Sequence, residues 1–162
     1  MRAKESIYQR LEDMGIGYEL SEHPPVYTVE EMEKLEIDKL GVIVKNLFLR
    51  DGKGKRHFLV LIHQDKKVDL KILQAKLGSR GLRFASAERL EKYLGLEKGA
   101  VSPFGLLNDK DHMVEVVLDD DLHNFSRLGV HPNDNTATVW ISPLDLKRVI
   151  LEEGYVITYL RL

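Results

Sequence analysis

With 162 residues, 43% of them hydrophobic and 31% charged, the chain has material for one substantial core and too little for two ordinary domains, so a single globular domain over residues 1–162 is expected. It contains no cysteine, which excludes thiol catalysis, disulfides, thiolate zinc sites and iron–sulfur clusters. The net charge of −2 conceals a basic centre: residues 45–92 hold 13 Lys and Arg against 5 Asp and Glu, or +8, while the remainder has 11 against 21, or −10.

A basic centre in an acidic chain suits an anionic partner docked on one face better than uniform coating of nucleic acid, and a solvated surface is the plainer reading. The start, Met1-Arg2-Ala3-Lys4-Glu5, carries charge where a signal peptide needs an apolar core, and no apolar run reaches bilayer-spanning length. A cytoplasmic location and no membrane partner are expected.

In chain order, Ile7, Leu11 and Met14 lie at helical spacing over residues 3–14, and Gly15 and Gly17 break the pattern. After the loop Ser21-Glu22-His23-Pro24-Pro25, Thr28 with Glu31 three residues on makes a capping box for a short helix through about Leu35. Val42 to Leu49 reads as a strand, Asp51-Gly52-Lys53-Gly54 as a turn, and Arg56 to His63 as the returning strand of a hairpin. Asp69 caps a helix over Leu70–Leu77 that stops at Gly78, and Ser86 caps another over Ala87–Leu94 that stops at Gly95. Val114–Leu118 and Thr136–Ile141 are strand-like, Ser142-Pro143 opens a helix through about Glu152, and Val156–Leu160 closes as a strand. Hairpins mixed with helices predict an α+β domain whose sheet is mixed or mainly antiparallel.

One side chain stands out. Within the apolar run Val42-Ile43-Val44-Lys45-Asn46-Leu47-Phe48-Leu49, strand alternation puts Lys45 on a face with Ile43, Leu47 and Leu49, and both faces are apolar enough to be covered. An ammonium there needs water, a partner or a ligand, because an unpaired buried charge is costly. Lys45 is therefore a candidate site residue, and a lysine whose stem packs while its head reaches solvent is the competing interpretation.

Two loops could complete a site. Glu97-Lys98-Gly99-Ala100-Val101-Ser102-Pro103-Phe104-Gly105 joins glycine, serine and proline in a segment suited to presenting backbone groups. Leu128-Gly129-Val130-His131-Pro132-Asn133-Asp134-Asn135-Thr136 presents a histidine, amides and hydroxyls, although a stretch rich in Asn, Asp and Pro is usually only a turn. Asp119-Asp120-Asp121 with His123 lacks the spacing of a metal site, and His63 and His23 suit structural roles. There is no G-x-S-x-G elbow, P-loop or dinucleotide fingerprint.

Taken in order, Lys45-Asn46-Leu47-Phe48, the Gly99-x-x-x-Pro103 loop and Gly129-Val130-His131-Pro132-Asn133 resemble the YbaK-type, prolyl-tRNA-synthetase-associated editing domains over nearly the whole chain. Within that family the chain is most similar to the free-standing editors that clear alanine from mischarged proline tRNA. The resemblance implies a curved, barrel-like sheet flanked by helices, with the aminoacyl end of tRNA held between the lysine strand and the two loops. It makes Lys45 the essential lysine, engaging the terminal phosphate or the ester carbonyl, with Asn46 as a positioning residue. It assigns Gly99 and His131 to the catalytic centre, and Ala100, Val101, Ser102, Pro103 and Asn133 to substrate binding. It further implies that the adenosine's vicinal hydroxyl assists the attacking water, so no strong general base is required.

No cofactor and no metal are expected, since positioned dipoles and one cation suffice to hydrolyse an activated ester. Mischarged proline tRNA is the expected partner, DNA is not, and docking on prolyl-tRNA synthetase stays open. Arg50, Lys66, Lys67, Arg80 and Arg83 are the candidates for acceptor-stem contacts, Arg80 first. A sister editor for cysteinyl-tRNA(Pro) or another amino acid, and a non-catalytic tRNA-binding or regulatory module with the same fold, remain alternatives.

Overall fold

The computed structural model describes residues 3–36 and 40–162. Helices form where caps and apolar spacing predict them: α1 (Ala3–Asp13), α2 (Val29–Lys34), α3 (Leu70–Leu77), α4 (Ala87–Leu94) and α5 (Pro143–Glu152). The side chains of Thr28, Asp69, Ser86 and Ser142 each accept a hydrogen bond from a first-turn backbone N–H, satisfying donors that have no partner within the helix. Both α3 and α4 stop at a glycine in the left-handed conformation, Gly78 and Gly95. None of these helices is long and apolar enough to cross a membrane.

The strands are β1 (Glu19–Glu22), β2 (Val42–Arg50), β3 (His57–His63), β4 (Arg83–Phe84), β5 (Val114–Asp119), β6 (Leu128–Val130), β7 (Ala137–Ile141) and β8 (Ile157–Leu160). They pair in the order β1-β7-β6-β2-β3-β5-β8, with β4 joined to β2 off this path. Pairing of β2 with β6, β3 with β5 and β5 with β8 is parallel and the rest antiparallel, so the fold is α+β with a mixed sheet. The path is open: β1 and β8 stand at its ends and do not pair among the described residues. The sequence reading has no counterpart for β1, β4 and β6, which are four, two and three residues long and too short for a periodic signal.

Strand β2 organises the interior. Val44 and Phe48 enter the larger core with Leu59 and Leu61 of β3, covered by Ile7 and Leu11 of α1, Leu90 and Leu94 of α4 and Leu146, Val149 and Ile150 of α5. Leu47 and Leu49 enter a second core with Phe58, Val60 and Ile62, covered by Leu73 of α3. Register confirms the alternation, since Lys45, Leu47 and Leu49 stand opposite Ile62, Val60 and Phe58. Lys45 thus begins on the α3 side of the sheet, and it is only partly buried.

The edges of β2 differ. One edge pairs with β3 from Val44 to Arg50. The other meets β6 only at Val42 and Ile43, and β4 only at Leu49 and Arg50. On that second edge Val42 N–H donates to the Arg127 carbonyl and the Phe48 carbonyl accepts from Ala85 N–H, whereas Ile43 turns its N–H and C=O to Gln64 beyond the opposite edge. The two-residue alternation therefore aims the backbone N–H and C=O of Asn46 at the unpaired stretch. Among the described residues neither group has a partner.

Far from this opening, the buried Tyr155 hydroxyl lies within 3.1 Å of the Leu106 carbonyl, 3.0 Å of the Asp109 carbonyl and 2.9 Å of the Asp109 carboxylate. The same carboxylate accepts from the N–H groups of Met113 and Val114 at the start of β5. Burial, then the hydrogen bond to the Asp109 carboxylate and its charge, raises the Tyr155 pKa well above its ordinary value. Tyr155→Phe should lower unfolding free energy by about 1–3 kcal/mol in denaturant titrations, through the unsatisfied acceptors it leaves. It should not alter the activity assigned below.

Candidate active site

The open stretch of β2 borders a cavity of about 190 Å³. Its floor is made by Val26, Met32 and Ile43, which cluster on the buried indole of Trp140. The indole is why position 129 is glycine: a Cβ there would lie 2.7 Å from the Trp140 ring and 2.9 Å from Ile43. Val44 and Asn46 form one wall, while Gly99, Val101 and His131 of the two loops form the other, with Tyr27 and Thr28 of the segment leading into α2 at the mouth. That segment is fastened to the second loop, because Val26 N–H donates to the Asn135 carbonyl at 3.2 Å and the Asn135 amide donates to the Val26 carbonyl at 2.9 Å.

The two loops are clamped together. The fully buried Ser102 hydroxyl donates to the His131 carbonyl and accepts from Phe104 N–H at 3.1 Å, and the Asn133 amide donates to the Phe104 carbonyl at 3.3 Å. Asn133 adopts a positive φ of 59°, a conformation asparagine tolerates better than most residues. Gly99 has φ 93° and packs beneath the Tyr27 ring.

His131 is oriented by its own loop. Its Nδ1 lies 2.9 Å from the Ala137 carbonyl, an acceptor, so Nδ1 carries the proton. Burial holds the imidazole below its ordinary pKa of 6.5, assisted by nearby His23 and opposed by the bond to Ala137. The ring is therefore neutral at pH 7 and Nε2 is an acceptor. Across the cavity, Asn46 Oδ1 is buried without a partner while its amide nitrogen lies 3.4 Å from the Val44 carbonyl. An unpartnered buried acceptor beside a cavity is a place for a ligand donor or an ordered water.

Of the residues expected from sequence, Asn46, Gly99, Val101 and His131 meet at this cavity. Ala100, Ser102 and Pro103 are buried behind it, and Asn133 ties the loops, so these four shape the site from behind rather than line it. Lys45 is absent from the lining, although Ile43 on its own face of β2 forms part of the floor, and its ammonium has no partner among the described residues.

Lys66 is already engaged within the protein. Its amine pairs with the fully buried Asp119 at 2.6 Å and with Asp121, and it donates to the Leu162 carbonyl at 2.9 Å, so it anchors the chain's end rather than offering free charge. The acidic trio is occupied in the same way: Asp119 also caps the 3-10 turn Asp120–Asn124. Lys67 borders a separate hollow with Asp69, Lys76 and Arg161. Arg50 and Arg83 are register partners in the β2–β4 pair, while Arg80 lines a neighbouring hollow with Lys53 and Arg56. Sequence reasoning missed Val26, Tyr27 and Met32, whose one visible signal was the capping box at Thr28.

A family model of the aminoacyl-tRNA editing domain matches residues 23–149, a span that contains β2, both loops and the whole lining. The chain belongs to this family. The prolyl-tRNA editing protein ProX of Acetoanaerobium sticklandii is 54% identical over 154 residues, covering 95% of this chain and 94% of that protein. The prolyl-tRNA synthetase associated domain-containing protein 1 of Danio rerio is 36% identical over 151 residues, covering 92% and 82%. A proline–tRNA ligase of Aquifex aeolicus matches 68% of this chain at 30% identity across 19% of its own length. A crystal structure proposed to be a trans-editing enzyme for prolyl tRNA synthetase superposes with a TM-score of 0.75 at 23% identity, covering 100% of this chain and 98% of that one, which bears on the fold alone. Family membership makes the editing domain an enzyme, a hydrolase of aminoacyl esters.

At Gly99 a Cβ would lie 2.6 Å from the Tyr27 ring on a backbone that L side chains rarely adopt. Gly99→Ala should cost about 1 kcal/mol or more of stability, read by thermal melting, and should reduce deacylation by displacing Tyr27 from the cavity mouth.

Proposed function

We propose that the protein is a trans-editing deacylase that hydrolyses the ester of alanyl-tRNA(Pro), acting in the cytoplasm as a proofreader of prolyl-tRNA synthetase. The observation that carries this reading is the small cavity on the unpaired stretch of β2, which faces a neutral imidazole acceptor across a free backbone N–H. The name of the bacterial relative supports the tRNA, and the match within a proline–tRNA ligase supports the synthetase whose errors are corrected.

In this mechanism the aminoacyl side chain rests on Val26, Met32 and Ile43, and the ester carbonyl points its oxygen to Asn46 N–H. Water held by His131 Nε2 attacks the carbonyl carbon, and the negative charge that develops on the oxygen is stabilised by the fixed backbone dipole. The carbon–oxygen bond to the ribose then breaks, and the departing ribose oxygen takes the proton that the water has lost. The vicinal hydroxyl helps relay that proton. Asn46 Oδ1 accepts from the substrate's α-ammonium, which supplies the donor it lacks. Lys45, outside the lining but between Val44 and Asn46 in the chain, binds a phosphate of the RNA rather than the ester.

Size selection would rest on exclusion by the walls rather than on tight holding of the smaller side chain. A cavity cannot hold a small side chain tightly, since each methylene is worth about 1–3 kcal/mol, but its walls exclude a larger one by overlap. Alanine enters and proline is rejected. Because correctly charged alanyl-tRNA bears the same amino acid, the tRNA body must also be read. Arg50, Arg80 and Arg83, with Lys53 beside them, form the nearest basic surface for an acceptor stem.

A deacylation panel with alanyl-, cysteinyl-, seryl- and prolyl-tRNA(Pro) tests the reading. The alanyl ester should be cleaved fastest and the prolyl ester left intact. Preference for the cysteinyl ester would reassign the substrate, and inertness toward all four would leave a tRNA-binding module. Lys45→Ala should fold normally and lose about 10- to 150-fold in kcat/KM, mostly through KM, as expected for one charge-assisted contact. A loss confined to kcat would move Lys45 to the ester.

A further inference from the structure

Next to the first cavity lies a second, of about 430 Å³, and the two share Asn46 and Val101 as a common wall. Its lining is largely apolar: Phe48 from β2, Phe84 from β4, Ala85, Ala87 and Leu90 at the start of α4. Phe84 is 60% exposed, belongs to none of the three hydrophobic clusters and stacks on no other ring among the described residues. Lys98, exposed and without an ion-pair partner among the described residues, stands at its margin. The cavity exists for the same reason as the first, because β6 and β4 each cover only one end of β2 and the chain between them leaves that edge unroofed.

The geometry points to this second cavity as the subsite for the adenine base of the substrate's terminal nucleotide, stacked on Phe84. The inference rests on the editing function proposed above and extends it. In an aminoacylated nucleotide the ester and the base leave the same ribose, so a site for one requires a site for the other within a sugar's width. Two cavities separated by a single residue wall meet that requirement, with the ribose lying over Asn46 and Val101. The smaller, walled by aliphatic side chains, suits an amino-acid side chain, and the larger suits a planar base. An exposed aromatic ring with no stacking partner is the usual platform for an unpaired base, because every base offers a π-face. Lys98 supplies a cation for the phosphate on the base's 5′ side.

Phe84→Ala should leave the fold intact, since the ring lies outside the packed cores; a thermal melt matching the parent verifies it. In deacylation of alanyl-tRNA(Pro), Phe84→Ala should lower kcat/KM by about 5- to 150-fold, the range of one base–aromatic stack, and Phe84→Trp should restore it. The parent should also cleave alanyl-adenosine faster than the same alanyl ester on a ribose lacking the base, and Phe84→Ala should erase that preference. Independently of catalysis, the trinucleotide CCA should shift the amide resonances of Phe84, Ala85 and Leu90 in the parent, and the dinucleotide CC should not. If the parent edits and Phe84→Ala edits equally well with its preference intact, the subsite is wrong while the editing function stands. If the parent cleaves no ester, the function fails, and CCA titration then decides the subsite: no shift at these amides overturns it.

Discussion

The site depends on one unfinished strand edge. β2 is bonded to β3 from Val44 to Arg50, but its other edge is shared by two short strands, β6 at one end and β4 at the other. A sheet interior would bury the intervening backbone groups in ladder bonds, and an exposed edge would offer them to any passing strand. Here they are neither paired nor open to a whole strand, because the loops 97–105 and 128–136 and the entry to α2 close around them. The result is a main-chain donor fixed in a small enclosure, which is what stabilisation of a developing oxyanion requires.

What keeps the enclosure in shape lies mostly behind it. Ser102 and Asn133 bond one loop to the other, Asn135 fastens the α2 entry, and Trp140 supports the floor from below. None of Ser102, Asn133 or Trp140 lines the cavity, yet Ser102 fixes His131, Trp140 backs Val26, Met32 and Ile43, and Asn133 holds one loop to the other. The electrostatics follow from the same packing: burial keeps His131 neutral, and its bond to the Ala137 carbonyl decides which ring nitrogen faces the cavity.

Much of this was legible in the sequence where local chemistry is decisive. Asp69, Ser86 and Ser142 marked helix starts because a side-chain acceptor must meet the first free N–H groups, and Gly78 and Gly95 marked helix ends because the left-handed turn favours glycine. The β2–β3 hairpin was visible through its apolar run and turn. Asn46, Gly99, Val101 and His131 were assigned together through the family resemblance, and they do converge. What was hidden depends on long-range pairing. β1 is mostly polar and mostly exposed, and β4 has two residues, so neither carries periodicity. The engagement of Lys66 by Asp119 and Asp121 spans more than fifty residues, and a lysine in a basic segment looks the same whether free or paired. The face of β2 that carries Lys45 was readable from alternation; that the cavity draws on both faces, Ile43 from one and Val44 and Asn46 from the other, was not.

The most direct test of the central claim is an amide chemical-shift map of the protein titrated with a non-hydrolysable alanyl-adenosine, in which an amide replaces the ester. The largest shifts should fall on Asn46, Gly99, Val101 and His131, with the Asn46 N–H moving as it acquires an acceptor. Shifts confined to the hollow around Gly52, Arg56 and Gly81, with Asn46 unmoved, would contradict it.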